Sequence, residues 1–223
     1  MFCDKRINII TGHYGTGKTN IAVNLAFDFK DQGYDVIIAD LDIVNPYYRS
    51  ADFRNQLENA GIKVLTTNFA NTNLDIPSLP AEIFSIFSDK KKKVILDIGG
   101  DDAGAMVLGR FRDYILEDDY EMFYVINEKR SMSCDFEENL NLLGAIENVT
   151  GLEVSRIINN THLCSETTEK IILDSMDFTK KFCEISKKEY GFSCIEEKFY
   201  NNLVNEIDKP YKVKIYNKLD ELI

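Results

Sequence analysis

Gly12-His13-Tyr14-Gly15-Thr16-Gly17-Lys18-Thr19 lies between an apolar run, residues 7–11, and a stretch where Ile21, Leu25 and Phe29 recur at helical spacing. The eight residues fit the pattern GxxxxGK[ST]. Its glycines let the backbone turn tightly, so that several N–H groups can point inward at phosphate oxygens. Lys18 would reach the β- and γ-phosphates, the Thr19 hydroxyl would bind Mg²⁺, and the helix that opens near Lys18 adds the positive end of its dipole. Strand, loop and helix follow in the order that this chemistry needs. The segment therefore reads as the phosphate loop of a nucleoside triphosphate site, with contacts expected from every residue of 12–19 and from Asn20.

Outward from the loop, short apolar runs alternate with longer helix-like stretches. Strands are expected at residues 7–11, 36–40, 63–67, 93–98, 122–127, 155–159 and 193–197. Several are apolar throughout, as strands covered on both faces are. Helices are expected at 18–32, 49–60, 79–88, 103–117, 135–148, 166–190 and 198–208, with Gly33, Gly61 and Gly151 placed as C-terminal caps. Alternating elements of this kind imply a mostly parallel sheet of about seven strands flanked by helices, a three-layer P-loop NTPase fold. At 223 residues with 44% hydrophobic content, the chain suits one nucleotide-binding domain spanning 1–223.

A formal net charge of −11 argues against direct nucleic-acid or anionic-membrane binding. No apolar run approaches the ~20 residues of a membrane span, and the N-terminus lacks the layout of a signal peptide. The five cysteines, Cys3, Cys134, Cys164, Cys183 and Cys194, form no CxxC or CxxH unit, so reduced thiols in the cytoplasm are the expectation. The lysine run 90–93 reads as a solvated turn.

The acidic positions give the loop its partners. The run Val94-Ile95-Leu96 ends in Asp97-Ile98-Gly99-Gly100, a Walker-B-like arrangement of apolar strand, aspartate and flexible glycine pair. An aspartate there can organise the waters of a metal. The second strand ends Asp40-Leu41-Asp42. Asp40 also stands near where a dinucleotide fold would hold a ribose, but residues 15–20 lack the third glycine of that motif.

Phosphate loop, D-x-D and D-x-G-G, in this order and spacing, resemble the MinD/ParA group, the CobQ/CobB/MinD/ParA nucleotide-binding family, which shares a wider class with nitrogenase iron proteins and signal-recognition GTPases. The resemblance extends more loosely over most of the chain. It implies that Asp42 orients or polarises the attacking water and that Asp40, Asp42, Asp97 and Thr19 form the magnesium shell. One position departs. The family carries a lysine directly after its first glycine, which reaches a partner's nucleotide across a dimer, and this chain has His13. A neutral imidazole lacks that charge, whereas a protonated one near its usual pKa of about 6.5 would carry it, so a homodimer stays open.

The resemblance also implies that Asn159, at the end of the strand before Asn160-Thr161-His162, reads the base through its amide. A guanine reader would show N-K-x-D there; with Asn160 and His162 in the K and D positions, ATP is favoured. The chain's two histidines, His13 and His162, both fall in loops expected to face the ligand. Cysteines that bridge an iron–sulfur cluster in one branch of the class have no counterpart after Asp97, although Cys134 lies in a neighbouring loop. The tail 218–223 is short and acidic, unlike a membrane-targeting helix.

The expected activity is hydrolysis of ATP with Mg²⁺ to ADP and phosphate, driving a conformational switch with slow turnover until a protein partner binds. The alternatives are an ATP-dependent small-molecule kinase, a cobyrinate-type amide synthetase, and a nucleotide-gated binding module with little hydrolysis. The transferase readings need an acceptor pocket, for which Asn45, Arg49 and the polar stretch 68–79 (Asn71, Asn73, Asp75, Pro77, Ser78) are candidates; that stretch reads equally as a solvated connector.

Overall fold

The computed structural model describes residues 3–42, 53–66, 81–100, 102–130 and 135–216. Eight strands form one sheet: β1 (Ile7–Gly12), β2 (Val36–Asp40), β3 (Lys63–Thr66), β4 (Lys93–Asp97), β5 (Tyr120–Ile126), β6 (Arg156–Asn159), β7 (Glu189–Glu196) and β8 (Pro210–Val213). Their spatial order is β3-β2-β4-β1-β5-β6-β7-β8, and the neighbouring strands pair parallel. The helices are α1 (Lys18–Asp31), α2 (Arg54–Asn59), α3 (Ala81–Ser88), α4 (Asp102–Gly109), α5 (Arg112–Leu116), α6 (Phe136–Thr150), α7 (Glu169–Ser186) and α8 (Glu197–Leu203).

Because side chains alternate across a strand, the sheet divides the core in two. Ile10, Ile38 and Ile95 pack with Ile21, Leu25 and Phe29 of α1 and with Leu57 of α2. On the other face Ile9, Ile37 and Leu96 meet Ile86 of α3, Leu108 of α4, Ile146 of α6 and Phe182 of α7. Asp40 and Asp97 each follow by two residues a strand residue of the α1 face, so both carboxylates belong to that face. Burial on both sides explains why β1, β2 and β4 are apolar almost throughout.

Chain order reverses around β1. The chain runs outward to β2 and β3, returns to β4 beside β1, then crosses to β5 on the other side of β1. A reversal of this kind opens a crevice at the carboxyl ends of the strands, and the loop after β1 lies there.

The fold differs from the sequence expectation at identifiable points. The eighth strand, Pro210–Val213, was not expected: it is only four residues long and fully buries only Val213. Proline as its first residue suits an edge strand, where a missing N–H costs little. The helix expected over 103–117 divides at Arg110 and Phe111 into α4 and α5. The one expected over 166–190 ends at Ser186 with Lys187 in the left-handed region, φ 57°, and the chain then enters β7 at Glu189. The helix expected over 198–208 ends at Leu203. Expected helices 49–60 and 79–88 are described only from Phe53 and from Ala81 onward, and Asn45, Arg49, the 68–79 stretch, Cys134 and the 218–223 tail lie outside the described residues. No helix among the described residues is long and apolar enough to cross a membrane.

Candidate functional site

The phosphate loop leaves β1 at Gly12 (φ 141°) and passes Gly15 (φ 76°) and Gly17 (φ 87°) in conformations that L side chains rarely adopt. Space forbids side chains as well. A Cβ on Gly12 would lie 2.4 Å from the Val125 carbonyl oxygen, and one on Gly17 would lie 2.3 Å from the Asn160 amide nitrogen. Gly17 is also the N-cap of α1, which has no side-chain cap hydrogen bond and no acidic residue in its first turn. The start of this fourteen-residue helix takes no cap from the side chain before it, and its positive end faces the loop.

The carbonyl of His13 gathers the loop. It accepts from Thr16 Oγ1 at 2.8 Å, from Thr16 N at 3.3 Å and from Lys18 Nζ at 3.1 Å. Lys18 is therefore folded back over the loop, 6% exposed, with its ammonium on a backbone oxygen where phosphate oxygens would be stronger acceptors. Thr19 follows it in the first turn of α1. Tyr14 is half exposed. The Asn20 side chain turns the other way, donating to the Lys214 carbonyl at 3.0 Å and accepting from Tyr216 N at 3.0 Å. It fastens the segment after β8 onto α1, so its expected ligand contact is left to its backbone.

His13 is the position where structure adds most. Its ring is buried, 8% exposed, with Nε2 3.4 Å from Glu138 Oε1 in the first turn of α6. The imidazole faces a helix of its own chain rather than projecting outward.

Asp40 and Asp97 are register partners on β2 and β4, and Asp97 also aligns with Ile10 of β1. Both are buried. Asp42 follows the strand end, its N–H donating to Asp40 Oδ1 at 3.1 Å. Hydroxyl and carboxylate oxygens are the donors that Mg²⁺ prefers, and among the described residues no group of three or more His, Cys, Asp or Glu gathers to hold a metal alone. The set fits an ion that keeps waters and phosphate oxygens in its shell. Thr19, Asp40, Asp42 and Asp97 are the residues that would hold it.

Gly100, after Asp97, closes on the loop: a Cβ there would meet the Gly12 carbonyl oxygen at 2.3 Å and Tyr14 N at 3.0 Å. The D-x-G-G segment and the phosphate loop are in direct backbone contact.

On the opposite flank, the sequence reading of Asn159 does not match the geometry. Asn159 is 1% exposed and its amide is spent inside the protein. Nδ2 donates to Ser175 Oγ at 2.9 Å and Ser193 Oγ at 3.2 Å, while Oδ1 accepts from Thr161 N and Oγ1. It shapes the turn and offers no free amide to a base. Asn160, one residue on, reaches the site instead, donating to the Thr16 carbonyl at 2.7 Å. The only sequence signal for it was the doubled asparagine itself.

Asn127, at the end of β5, was missed altogether. Its Oδ1 accepts from His162 N at 3.3 Å and its Nδ2 donates to the His162 carbonyl at 3.2 Å. His162 is thereby set beside Gly17, with Nε2 3.5 Å from where a Cβ would stand. Burial first, then the charge of Arg130, lowers the His162 pKa to about 4, so the ring is neutral near pH 7. From Asn160 and His162 a cavity of about 370 Å³ extends past Cys164, Glu196 and Lys198 to Ile215.

A sequence model of the CobQ/CobB/MinD/ParA nucleotide-binding domain matches residues 7–188. No curated protein sequence matches the chain. Among solved structures, the signal recognition particle 54 kDa protein of Aeropyrum pernix K1 in complex with GDP is similar at TM-score 0.53 and 20% identity, over 85% of this chain and 41% of that one. FtsY of Thermotoga maritima is similar at TM-score 0.56 and 20% identity, over 86% and 62%. FtsY of Mycoplasma mycoides gives 0.55 and 18%, over 86% and 60%. The match thus spans less than two thirds of each of these proteins, and at such identity the likeness is one of fold.

Proposed function

This chain belongs to the CobQ/CobB/MinD/ParA family of nucleotide-binding domains, and from that premise we propose that it binds ATP with Mg²⁺ and hydrolyses it slowly as a conformational switch. The observation that carries the reading is the uncapped start of α1 behind a three-glycine turn, with Lys18 folded across it. N–H groups and an ammonium converge there, the arrangement a phosphate chain needs.

In this reading Lys18 leaves the His13 carbonyl and spans the β- and γ-phosphates, while the loop N–H groups hold them in fixed orientation. Bound Mg²⁺ would neutralise charge that develops on the phosphate oxygens. Asp40 and Asp97 orient its waters from adjacent strands, and Asp42 places the attacking water. The contact of Gly100 with Gly12 gives the segment after β4 a route to respond to the γ-phosphate.

The cavity beyond Asn160 is the natural seat for the base. Counted from Asn160, the fourth position is Leu163, so no aspartate stands where N-K-x-D would put one, which favours adenine. Glu196 does line the cavity, but Lys198 Nζ lies 2.9 Å from its carboxylate.

The test is phosphate release and equilibrium binding with ATP or GTP and Mg²⁺, for the unmodified protein and Lys18→Ala. Sustained release from ATP that Lys18→Ala abolishes supports the reading; tighter binding of GTP would overturn the choice of base. A nucleotide-gated binding module is the second reading, favoured by one observation: His13 is engaged with Glu138 of its own chain. It predicts tight ATP binding with the nucleotide left intact.

A further inference from the structure

If His13 is turned inward and His162 is neutral, the phosphates gain no charge from either histidine. The turn after β5 offers another cation. Residues 127–130 are fixed against the neighbouring loop: Asn127 clamps the His162 backbone, Glu128 N donates to Thr161 Oγ1 at 3.2 Å, and Lys129 N donates to Asn127 Oδ1 at 3.0 Å. Lys129 Nζ sits 3.2 Å from Glu128 Oε1. The next residue, Arg130, is exposed, and its Nε lies 3.9 Å from where a Cβ on Gly15 would stand. Its Nη2 donates to Cys164 Sγ at 3.6 Å.

We propose that Arg130 supplies, from within the same chain, a guanidinium that pairs with the phosphates of the nucleotide held by the loop. Three features carry this. The side chain runs alongside Gly15, in the middle of the phosphate loop. One of its donors rests on a thiol, a weak acceptor that a phosphate oxygen outcompetes. The planar fork of arginine matches phosphate geometry and stays charged at any working pH. The backbone contacts around Asn127 fix where the arginine starts from, so little of the turn need be reordered when it closes.

This rests on the nucleotide-binding reading above, and the experiment separates the two. Fluorescent ATP and ADP are titrated with Mg²⁺ into the full chain and into Lys18→Ala, Arg130→Ala and Arg130→Lys, at low and moderate salt, with melting curves for each. Arg130→Ala is expected to weaken both nucleotides by roughly tenfold and to flatten the salt dependence, at unchanged melting temperature. Arg130→Lys should restore the salt dependence but only part of the affinity, since it restores charge without the fork. Binding that is lost in Lys18→Ala but unaltered in Arg130→Ala overturns this proposal alone. Equal losses in both arginine variants with lowered melting temperatures would reduce Arg130 to a structural role. Failure of the unmodified protein to bind either nucleotide removes the nucleotide reading and this proposal together.

Discussion

The side-chain amide of Asn160 donates to the carbonyl of Thr16 at 2.7 Å, tying the loop after β6 to the phosphate loop. The same nitrogen occupies the space that a Cβ on Gly17 would need, 2.3 Å away. Asn160→Ala removes the tie and is expected to weaken ATP binding by about tenfold. Asn160→Asp should be worse, because a carboxylate cannot donate to that carbonyl and repels the phosphates. Gly17→Ala adds left-handed strain, roughly 1–2 kcal/mol, to the clash and should abolish binding. Isothermal titration decides among these; an aspartate variant that binds as well as the alanine variant would sink the assignment of Asn160.

Gly100 tests the link between the D-x-G-G segment and the loop. A methyl group there would meet the Gly12 carbonyl oxygen at 2.3 Å and the His13 carbonyl carbon at 3.0 Å, both backbone atoms that cannot swing aside. Gly100→Ala should therefore displace the mouth of the phosphate loop, lowering phosphate release more than thermal stability. A variant with full turnover and normal melting would show that the contact carries no information.

The loop and its strand–helix frame were legible because local chemistry dictates them. Only glycine accepts the backbone of Gly12, Gly15 and Gly17, and the apolar runs of β1, β2 and β4 admit no other place than a doubly covered sheet. The sequence marked Asp40 and Asp97 as strand ends, but not the pairing of β2 with β4 that puts them in register. What the sequence hid depends on contacts between distant segments. Asn159 and Asn160 are chemically identical neighbours, and which one turns inward is set by Ser175 and Ser193, sixteen and thirty-four residues away. The direction of His13 depends on Glu138, and the place of Arg130 on Asn127 and Cys164. The β8 strand is four residues long and fully buries only Val213, as an edge strand can, so it leaves little hydrophobic signature.

His162 makes stability depend on pH. Its pKa is lowered to about 4 in the folded chain by burial and by Arg130, against about 6.5 when unfolded. Between these values the unfolded chain binds the extra proton, so stability rises with pH. The contribution is complete above about pH 6.5 and is lost as pH falls towards 4, about 3 kcal/mol. Melting temperatures from pH 7.5 to 4.5 should fall more steeply for the unmodified protein than for His162→Gln. Parallel curves would show that the ring is not held neutral.

Arg6 and Asp118 form a largely buried polar tie remote from the site. The guanidinium bonds both carboxylate oxygens of Asp118, and its Nη1 also donates to the carbonyls of Ile86, Asp89 and Lys92. The side chains are 11% and 6% exposed. Burial alone would raise the Asp118 pKa, but the hydrogen bonds from Arg6 and Lys90 overcome it and hold the carboxyl well below the usual range. A lowered carboxylate pKa contributes stability above the ordinary value near 4, and this is lost as pH falls below it. Arg6→Ala leaves the carbonyls without this donor and the carboxylate with only Lys90 and the Asp119 N–H, with an expected loss of about 3 kcal/mol. Arg6→Lys should recover little, since one ammonium cannot span the carboxylate and the carbonyls together. Urea unfolding near pH 7 measures this, with nucleotide affinity of the folded fraction unchanged. A loss below about 1 kcal/mol would place the pair among ordinary surface bridges and overturn its assigned role.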